Sequence, residues 1–355
     1  MKSNQMVTNM PRQTSSLPCS PSEVEEFLSS PTAGVEAFCR HVEGDFLILG
    51  AGGKMGLHLS SMLRRAFDMH GRGNRVTAVS RFGSVNDREA FEERGIATIA
   101  CDLADPWQLA LLTPCENIIF MAGAKFGTAG RPDFLHLMNV EMPCRVAQHF
   151  RESAITAFST GCVYSYVPVD SGGSTENSEV APVGTYAQSC LGREDAFTRA
   201  AKSFGTKIAL VRLNYSVEFR YGVLVDIACK VLRNEPIDVS MGHFSAIWQR
   251  DAVSYSIQAH ALAAAEPSIL NVTGTGTHAI RAVALRFGEC FGKQPTFAGR
   301  EAEAAWLNNA AKAHGLFGMP ETTMDQMIEW VAAWLLAGYP TLGKPTGFEK
   351  RDGNF

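Results

Sequence analysis

Gly50-Ala51-Gly52-Gly53-Lys54-Met55-Gly56 is the segment of this 355-residue chain best suited to holding a phosphate. Its glycines recur at three-residue spacing. Gly50 permits a tight turn, Gly53 lets a pyrophosphate approach the backbone, and Gly56 lets a following helix pack against the preceding strand. The anion then rests on the positive end of that helix. Two other phosphate patterns fail: there is no GxxxxGK followed by Ser or Thr, and Met55 stands where GxGxxG needs its last glycine. The alternative is an ordinary glycine-rich turn, but a strand before, a helix after and a repeating strand–helix alternation favour a bound dinucleotide. The end of the next strand selects which one. A carboxylate there would accept from an adenosine ribose; this chain has Ser80 and Arg81 instead. Arg81 offers a planar donor fork suited to a 2′-phosphate, and Lys54 is a second candidate cation. NADP is therefore expected, with NAD as the alternative. Asp102 and Leu103 fall where an adenine amino group would be met, and Ala122-Gly123 lets backbone lie against the cofactor.

Such a loop must be carried by a sheet. Asp45–Leu49 is a continuous apolar run, as a strand covered on both faces requires. Residues 54–70 place Met55, Leu59, Met62, Leu63 and Phe67 on one helical stripe. Strands at 75–81, 97–100, 117–121, 154–159 and 207–213 then alternate with helices at 85–94, 106–112, 133–151 and 185–204. This predicts an α/β fold, a Rossmann-type doubly wound parallel sheet. After Tyr215 the rhythm changes to helices over 223–233, 252–265, 279–291, 306–314 and 324–337, with one short strand at 269–272. That part reads as a smaller, mostly helical substrate lobe. The expected division is an N-terminal extension over 1–43, a dinucleotide-binding domain over 44–215, and a substrate lobe over 216–355 partly interleaved with it. Residues 1–20 are expected to be mobile, with short helices starting at Ser22 and running over 34–41.

Phe158-Ser-Thr-Gly-Cys-Val-Tyr164 closes one strand, and Tyr186-Ala-Gln-Ser-Cys190 opens the next helix. At these residues, over about 45–290, the chain resembles an extended short-chain dehydrogenase/reductase of the NAD-dependent epimerase/dehydratase family. The resemblance implies that Thr160 hydrogen-bonds the substrate oxygen and that Tyr186 is the acid/base. Met121–Lys125 is similar to the segment of UDP-galactose 4-epimerases whose lysine contacts the cofactor. Asn139 matches the family's helix asparagine, and Arg212–Tyr215 its last Rossmann strand. The departure is Cys190, which stands where the family has a lysine that holds the nicotinamide ribose and lowers the tyrosine pKa. An ordinary phenol titrates near 10, so Tyr186 needs positive charge from elsewhere. Lys125, Arg193 and an oxidised nicotinamide are the three candidates. Cys190 itself reads as a buried helical cysteine in preference to a nucleophile.

On the substrate side, nucleotide-sugar members carry an Arg-Asp-Phe-hydrophobic-His-Val-Asp-Asp segment. Here the corresponding stretch, 244–252, retains Asp251-Ala252 but lacks the upstream basic anchor. A smaller sugar, polyol or sugar acid is the expected substrate, with Arg220, Tyr221, Trp248 and Gln249 lining its pocket; a core position for Trp248 is the alternative. With 32 basic and 36 acidic residues the net charge is −4, which provides no basic field for nucleic acid. The longest apolar candidates, such as 331–339, are too short for a membrane span. Nine dispersed cysteines without a CxxC pair read as cytosolic thiols, and dispersed histidines give no metal site. The expected function is an NAD(P)-dependent oxidoreductase or epimerase of the cytoplasm. The resemblance implies a homodimer through the helices at 133–151 and 185–204. The alternative is a non-catalytic dinucleotide-binding sensor or scaffold.

Overall fold

Alternate side chains of a buried strand face opposite ways, and in strand β1 (Phe46–Leu49) this sorts two cores. Phe46 and Ile48 point to one, Leu47 and Leu49 to the other. The computed structural model describes residues 17–83, 85–125, 128 and 130–353. Six further strands join β1: β2 (Val76–Ser80), β3 (Ala97–Ala100), β4 (Asn117–Phe120), β5 (Ala154–Thr160), β6 (Lys207–Leu213) and β7 (Ser268–Val272). Their order is β7-β6-β5-β4-β1-β2-β3, all parallel. The order reverses between β1 and β4, which opens a crevice above their carboxyl ends. Phe46 stands level with Val76 on one side and Asn117 on the other.

Helices cover both faces. On one lie α1 (Pro21–Leu28), α2 (Ala33–His41) and α3 (Gly56–Met69), with Leu59, Met62, Leu63 and Phe67 packed on Phe46, Ile48 and Ala78. On the other, Met142 and Val146 of one helix and Phe197 and Ala200 of another pack on Leu47, Leu49, Ile118 and Phe120. The first of those helices runs as Pro132–His136, a π turn over Leu137–Glu141, and Met142–His149. Pro143 has no N–H to give the carbonyl of Asn139, and Met142 N instead bonds Leu137 O, so the wide turn falls here. The second helix is Gly184–Phe204.

The expected alternation of strands and helices is therefore present, with corrections to the second half. The strand near 269–272 is not an ornament of the helical lobe: as β7 it pairs with β6, Ser268 opposite Ala209. The helix expected over 306–314 forms only at Ala311–Phe317. Upstream, the backbone of 307–309 bonds that of Ser174, and Asn309 Oδ1 takes the Ala311 N–H, both competing with helical bonding. The helix expected from 252 starts at Gln249 and ends at Gln258.

A third core unites Val223–Val231, Ile280–Phe287 and Met327–Val331 with Trp248, Trp306 and Trp334, and α1 contributes Val24 and Leu28 to it. Meanwhile α2 packs on α3. The N-terminal helices thus touch both parts of the molecule. Most of the stretch expected to be mobile, 1–16, lies outside the described residues; Ser20 caps α1 by accepting from Glu23 N. Among the described residues, no helix is long and apolar enough to cross a membrane.

Candidate active site

The glycine loop is shaped by steric exclusion. Gly50 has φ 85°, a left-handed conformation that disfavours side chains, and a Cβ there would sit 2.5 Å from Ala122 N. A Cβ at Gly56 would collide with the Ala51 carbonyl, and one at Gly52 with the Ser80 hydroxyl. Gly53 differs, since its nearest neighbour would be 3.6 Å away. One glycine therefore turns the chain, two allow close packing, and Gly53 faces open space. Helix α3 begins at Met55-Gly56 with no side chain capping its first N–H groups, which leaves them for an anion.

Two cavities meet at this loop and share Gly50, Gly53 and Met121. The first, about 570 Å³, is bordered by Ser80, Arg81, Asp102, Leu103, Ala122 and Gly123. The second, about 310 Å³, is bordered by Lys54, Met55, Lys125, Thr160, Tyr186, Tyr221 and Gln249. A narrow, two-chambered trough over the switch point, with an arginine at one end and a phenol at the other, fits a dinucleotide. The structure parts Lys54 from Arg81: they border different chambers, and the Lys54 ammonium lies 2.8 Å from the centroid of the Tyr221 ring.

Thr160 ends β5 and is buried; its hydroxyl oxygen accepts from Cys162 N at 3.2 Å. Tyr186 lies in the first turn of Gly184–Phe204, with Lys125 Nζ 5.4 Å from its ring centroid. Cys190, one turn on, is fully buried and packed against Tyr186. Burial, then the neighbouring thiol, push the Tyr186 hydroxyl well above the usual phenol range, and Arg193 only partly opposes them. Burial also lowers Lys125. For Lys54, burial followed by the charges of Lys125 and Lys344 brings the ammonium down to about 7, against the pull of Glu218 and Asp226.

Asn139 and Cys190 do not border either cavity; they support the groups that do. The π turn projects Asn139 between two elements, where it bonds both backbone groups of Ala124 at 2.8 Å, Ser189 at 2.9 Å and Arg193 at 2.6 Å. The loop carrying Lys125 is thereby tied to the helix carrying Tyr186. Arg193 also donates to Phe158 O at 3.0 Å, beneath the end of β5.

Arg220 and Trp248, expected to line the substrate pocket, do neither. Arg220 is held by Glu25 at 2.8 Å and Glu218 at 3.2 Å. Trp248 has no exposed surface and packs edge-on against Phe219 and Trp330, the core position kept open as its alternative. Tyr221 and Gln249 do reach the cavity. Gln249 is held from behind: its amide contacts His58 Nδ1 at 2.6 Å, and His58 Nε2 contacts the Glu25 carboxylate of α1. Burial alone would raise Glu25, yet the bonds and charges of His58 and Arg220 hold it at about 2.

Sequence reasoning passed over Cys162, Asn214, Ser216 and Thr346 in the cavity of Thr160 and Tyr186. Cys162 lies inside the Thr160 motif and could have been noticed. Thr346 carried no signal; it arrives from the C-terminal tail, anchored to Asp226 at 2.7 and 2.6 Å. Tyr215 also borders the cavity with φ 37°, an uncommon conformation for a bulky residue.

A doubly wound parallel sheet with a glycine loop and two chambers at its switch point defines the class of Rossmann-type dinucleotide-binding proteins. Residues 46–243 match the model of the NAD dependent epimerase/dehydratase family, and the chain belongs to that family. No curated protein sequence matches it. Solved structures share the fold. A UDP-galactose 4-epimerase superposes with a TM-score of 0.65 at 20% identity, covering 83% of this chain and 99% of its own. MoeE5, in complex with UDP-glucose and NAD, gives 0.66 at 17% identity over 83% and 99%. The UDP-glucuronic acid 4-epimerase of Bacillus cereus, with UDP-glucuronic acid and NAD, gives 0.67 at 15% over 83% and 100%.

Proposed function

We propose that the protein is an NAD(P)-dependent oxidoreductase or epimerase acting on a sugar, polyol or sugar acid. The observation that carries this reading is the convergence of Thr160, Tyr186 and Lys125 on one cavity that continues into the glycine-loop chamber. The dinucleotide, when bound, supplies the acceptor or donor of a hydride. Gly50, Gly53 and Met55 would hold its pyrophosphate, Asp102 and Leu103 its adenine, and Lys125 its nicotinamide end. Arg81 supports NADP; the NAD bound by MoeE5 and the Bacillus cereus enzyme supports the alternative. Thr160 orients the substrate oxygen by donating its hydroxyl hydrogen, since its oxygen already accepts from Cys162 N. Tyr186 moves the proton between its own oxygen and that of the substrate. Buried beside Cys190, it rests protonated and is set to donate. To accept a proton it needs the charge of Arg193, Lys125 or the oxidised ring. The helices Pro132–His149 and Gly184–Phe204 pack side by side, and by family analogy we assign them to a homodimer interface.

The test is turnover of a panel of sugars, polyols and sugar acids, followed by nicotinamide absorbance and, for a hydride-recycling epimerase, by product analysis. Tyr186→Phe is expected to lower the rate about 10²–10⁴-fold with dinucleotide affinity retained. Unchanged turnover in that variant removes Tyr186 from the chemistry. Cys190, standing where the family has its lysine, favours a second reading, a dinucleotide-binding sensor; tight cofactor binding with no product from any panel member would select it.

A further inference from the structure

We infer that Gln249 is a specificity-determining residue that presents its side-chain carbonyl oxygen to a hydroxyl of the substrate, with His58 and Glu25 as its positioning residues. This rests on reading the cavity of Thr160 and Tyr186 as a carbohydrate site, and it adds the group that such a substrate must offer there.

The backbone of Gln249 is fixed on both sides. Trp248, before it, is buried in the core of the helical lobe. Arg250, after it, donates to Ser30 O at 2.9 Å, and Asp251 accepts from Thr322 N at 3.0 Å. The Gln249 side chain is itself buried, yet it borders the cavity.

The direction of its amide follows from a chain of donors and acceptors. Arg220 holds the Glu25 carboxylate at 2.8 Å, and that carboxylate, ionised at neutral pH because its folded value is about 2, only accepts. His58 Nε2 lies against it and therefore carries the ring hydrogen. His58 Nδ1 is left with a lone pair, which meets the Gln249 amide nitrogen at 2.6 Å. An amide nitrogen only donates, so the two are matched. Reversing the amide would set its oxygen against that lone pair and lose the bond. Oε1 is therefore the amide atom turned away from His58. Among the described residues none of α1 borders the cavity, yet through α3 this helix decides which end of an amide a ligand meets.

An acceptor is what a polyhydroxy compound needs at this point. Among the described residues no carboxylate lines the cavity, so each substrate hydroxyl must find its acceptor on an amide, another hydroxyl or the backbone. Thr160 and Tyr186 serve the reacting oxygen. Gln249 Oε1 then takes the hydrogen of a second hydroxyl, and a group that only accepts, such as an ether oxygen or a carboxylate, is disfavoured beside it.

The test is calorimetric binding of D-glucose, D-galactose, D-glucuronate and their mono-deoxy analogues to the full chain and its Gln249→Leu and Gln249→Glu variants, each with NADP⁺ or NAD⁺ present. In the wild type, one deoxy position should weaken a parent sugar about three- to tenfold. Gln249→Leu should weaken that parent by the same factor and leave the matching analogue within about twofold, while Gln249→Glu, which keeps an acceptor, should restore most of the parent's affinity. Equal weakening of the parent and all its analogues by Gln249→Leu overturns the inference. So does loss of dinucleotide affinity with sugar binding intact, which would give Gln249 to the nicotinamide. Nitrogen NMR of the histidine-labelled chain, its signal assigned through His58→Asn, should show Nε2 protonated and Nδ1 unprotonated; a hydrogen on Nδ1 overturns the inference without any ligand. If the dinucleotide binds the wild type and no sugar does, the carbohydrate reading itself fails and the inference falls with it.

Discussion

Two buried clusters of charge lie within this fold and are built on opposite plans. Beneath the end of β5, Arg212 meets Glu194 through two contacts, 2.9 and 2.6 Å. Ser159 donates to the same carboxylate at 2.5 Å, while Arg212 donates to the Tyr164 hydroxyl, which donates on to Asn271 of β7. Opposite charges are matched and the lone pairs used, so the cluster ties β5, β6, β7 and the Gly184–Phe204 helix together. In the cleft, Lys54 and Lys125 bring like charges to one cavity. Burying charge is costly unless it is compensated. The first cluster is compensated by matched charges, whereas in the second burial lowers both ammonium groups and the like charge of Lys125 lowers Lys54 further. The difference separates a cluster whose charges hold one another from one whose charges repel.

The largest effect should come from breaking the matched cluster. Glu194→Ala leaves Arg212 buried without its anion and should cost about 3–5 kcal/mol in denaturant unfolding. A loss below about 1 kcal/mol, the range of an exposed pair, would mean that the guanidinium is hydrated after all.

A smaller effect is expected at Glu25, the carboxylate that joins α1 to His58 and Arg220. Its folded value of about 2 lies below the ordinary 4.5, so the folded state holds the ionised form more firmly than the unfolded chain does. The resulting stability is complete above about pH 4.5 and is lost as pH falls toward 2, about 2–3 kcal/mol in all. Glu25→Gln should abolish that acid-dependent part of the unfolding curve. If wild type and variant lose stability in parallel below pH 4.5, the α1 contact does not carry it.

The smallest effect has the opposite sign. Lys54 falls to about 7 on folding from an ordinary 10.5, so the folded state disfavours the charged form. Wild-type stability should decline as pH drops from about 10 to 7, and Lys54→Met should be more stable near neutrality by about 2 kcal/mol, allowing for solvent screening. A variant that melts higher near neutrality would sharpen the contrast. One that melts lower would place Lys54 with the structural charges.

Much of the fold was legible because its signals are local. Continuous apolar strands, an amphipathic stripe over 54–70 and a glycine triplet each declare themselves within a few residues, and β1–β6 and α3 form where expected. Helix 306–314 was misjudged because its helical pattern competes with pairing to Ser174, more than 130 residues away in sequence. Within the site, Thr160, Tyr186 and Lys125 were visible through motifs at short range. Arg220 was misplaced because its partner Glu25 lies in a different part of the chain, and a basic residue near a pocket looks the same whether paired or not.

By itself, then, the order of residues determined the parallel sheet, the turn that only glycine can make at φ 85°, and the pairing of Thr160 with a phenol on the next helix. Tertiary structure alone decided that Lys54 leaves Arg81 for the chamber of Thr160 and Tyr186, that Thr346 comes back to line it, and that an N-terminal helix steadies Gln249 through His58. The reason is one of range. Backbone preference and apolar periodicity act between neighbours in sequence, whereas the environment of a buried charge is set by whatever distant segment is packed beside it.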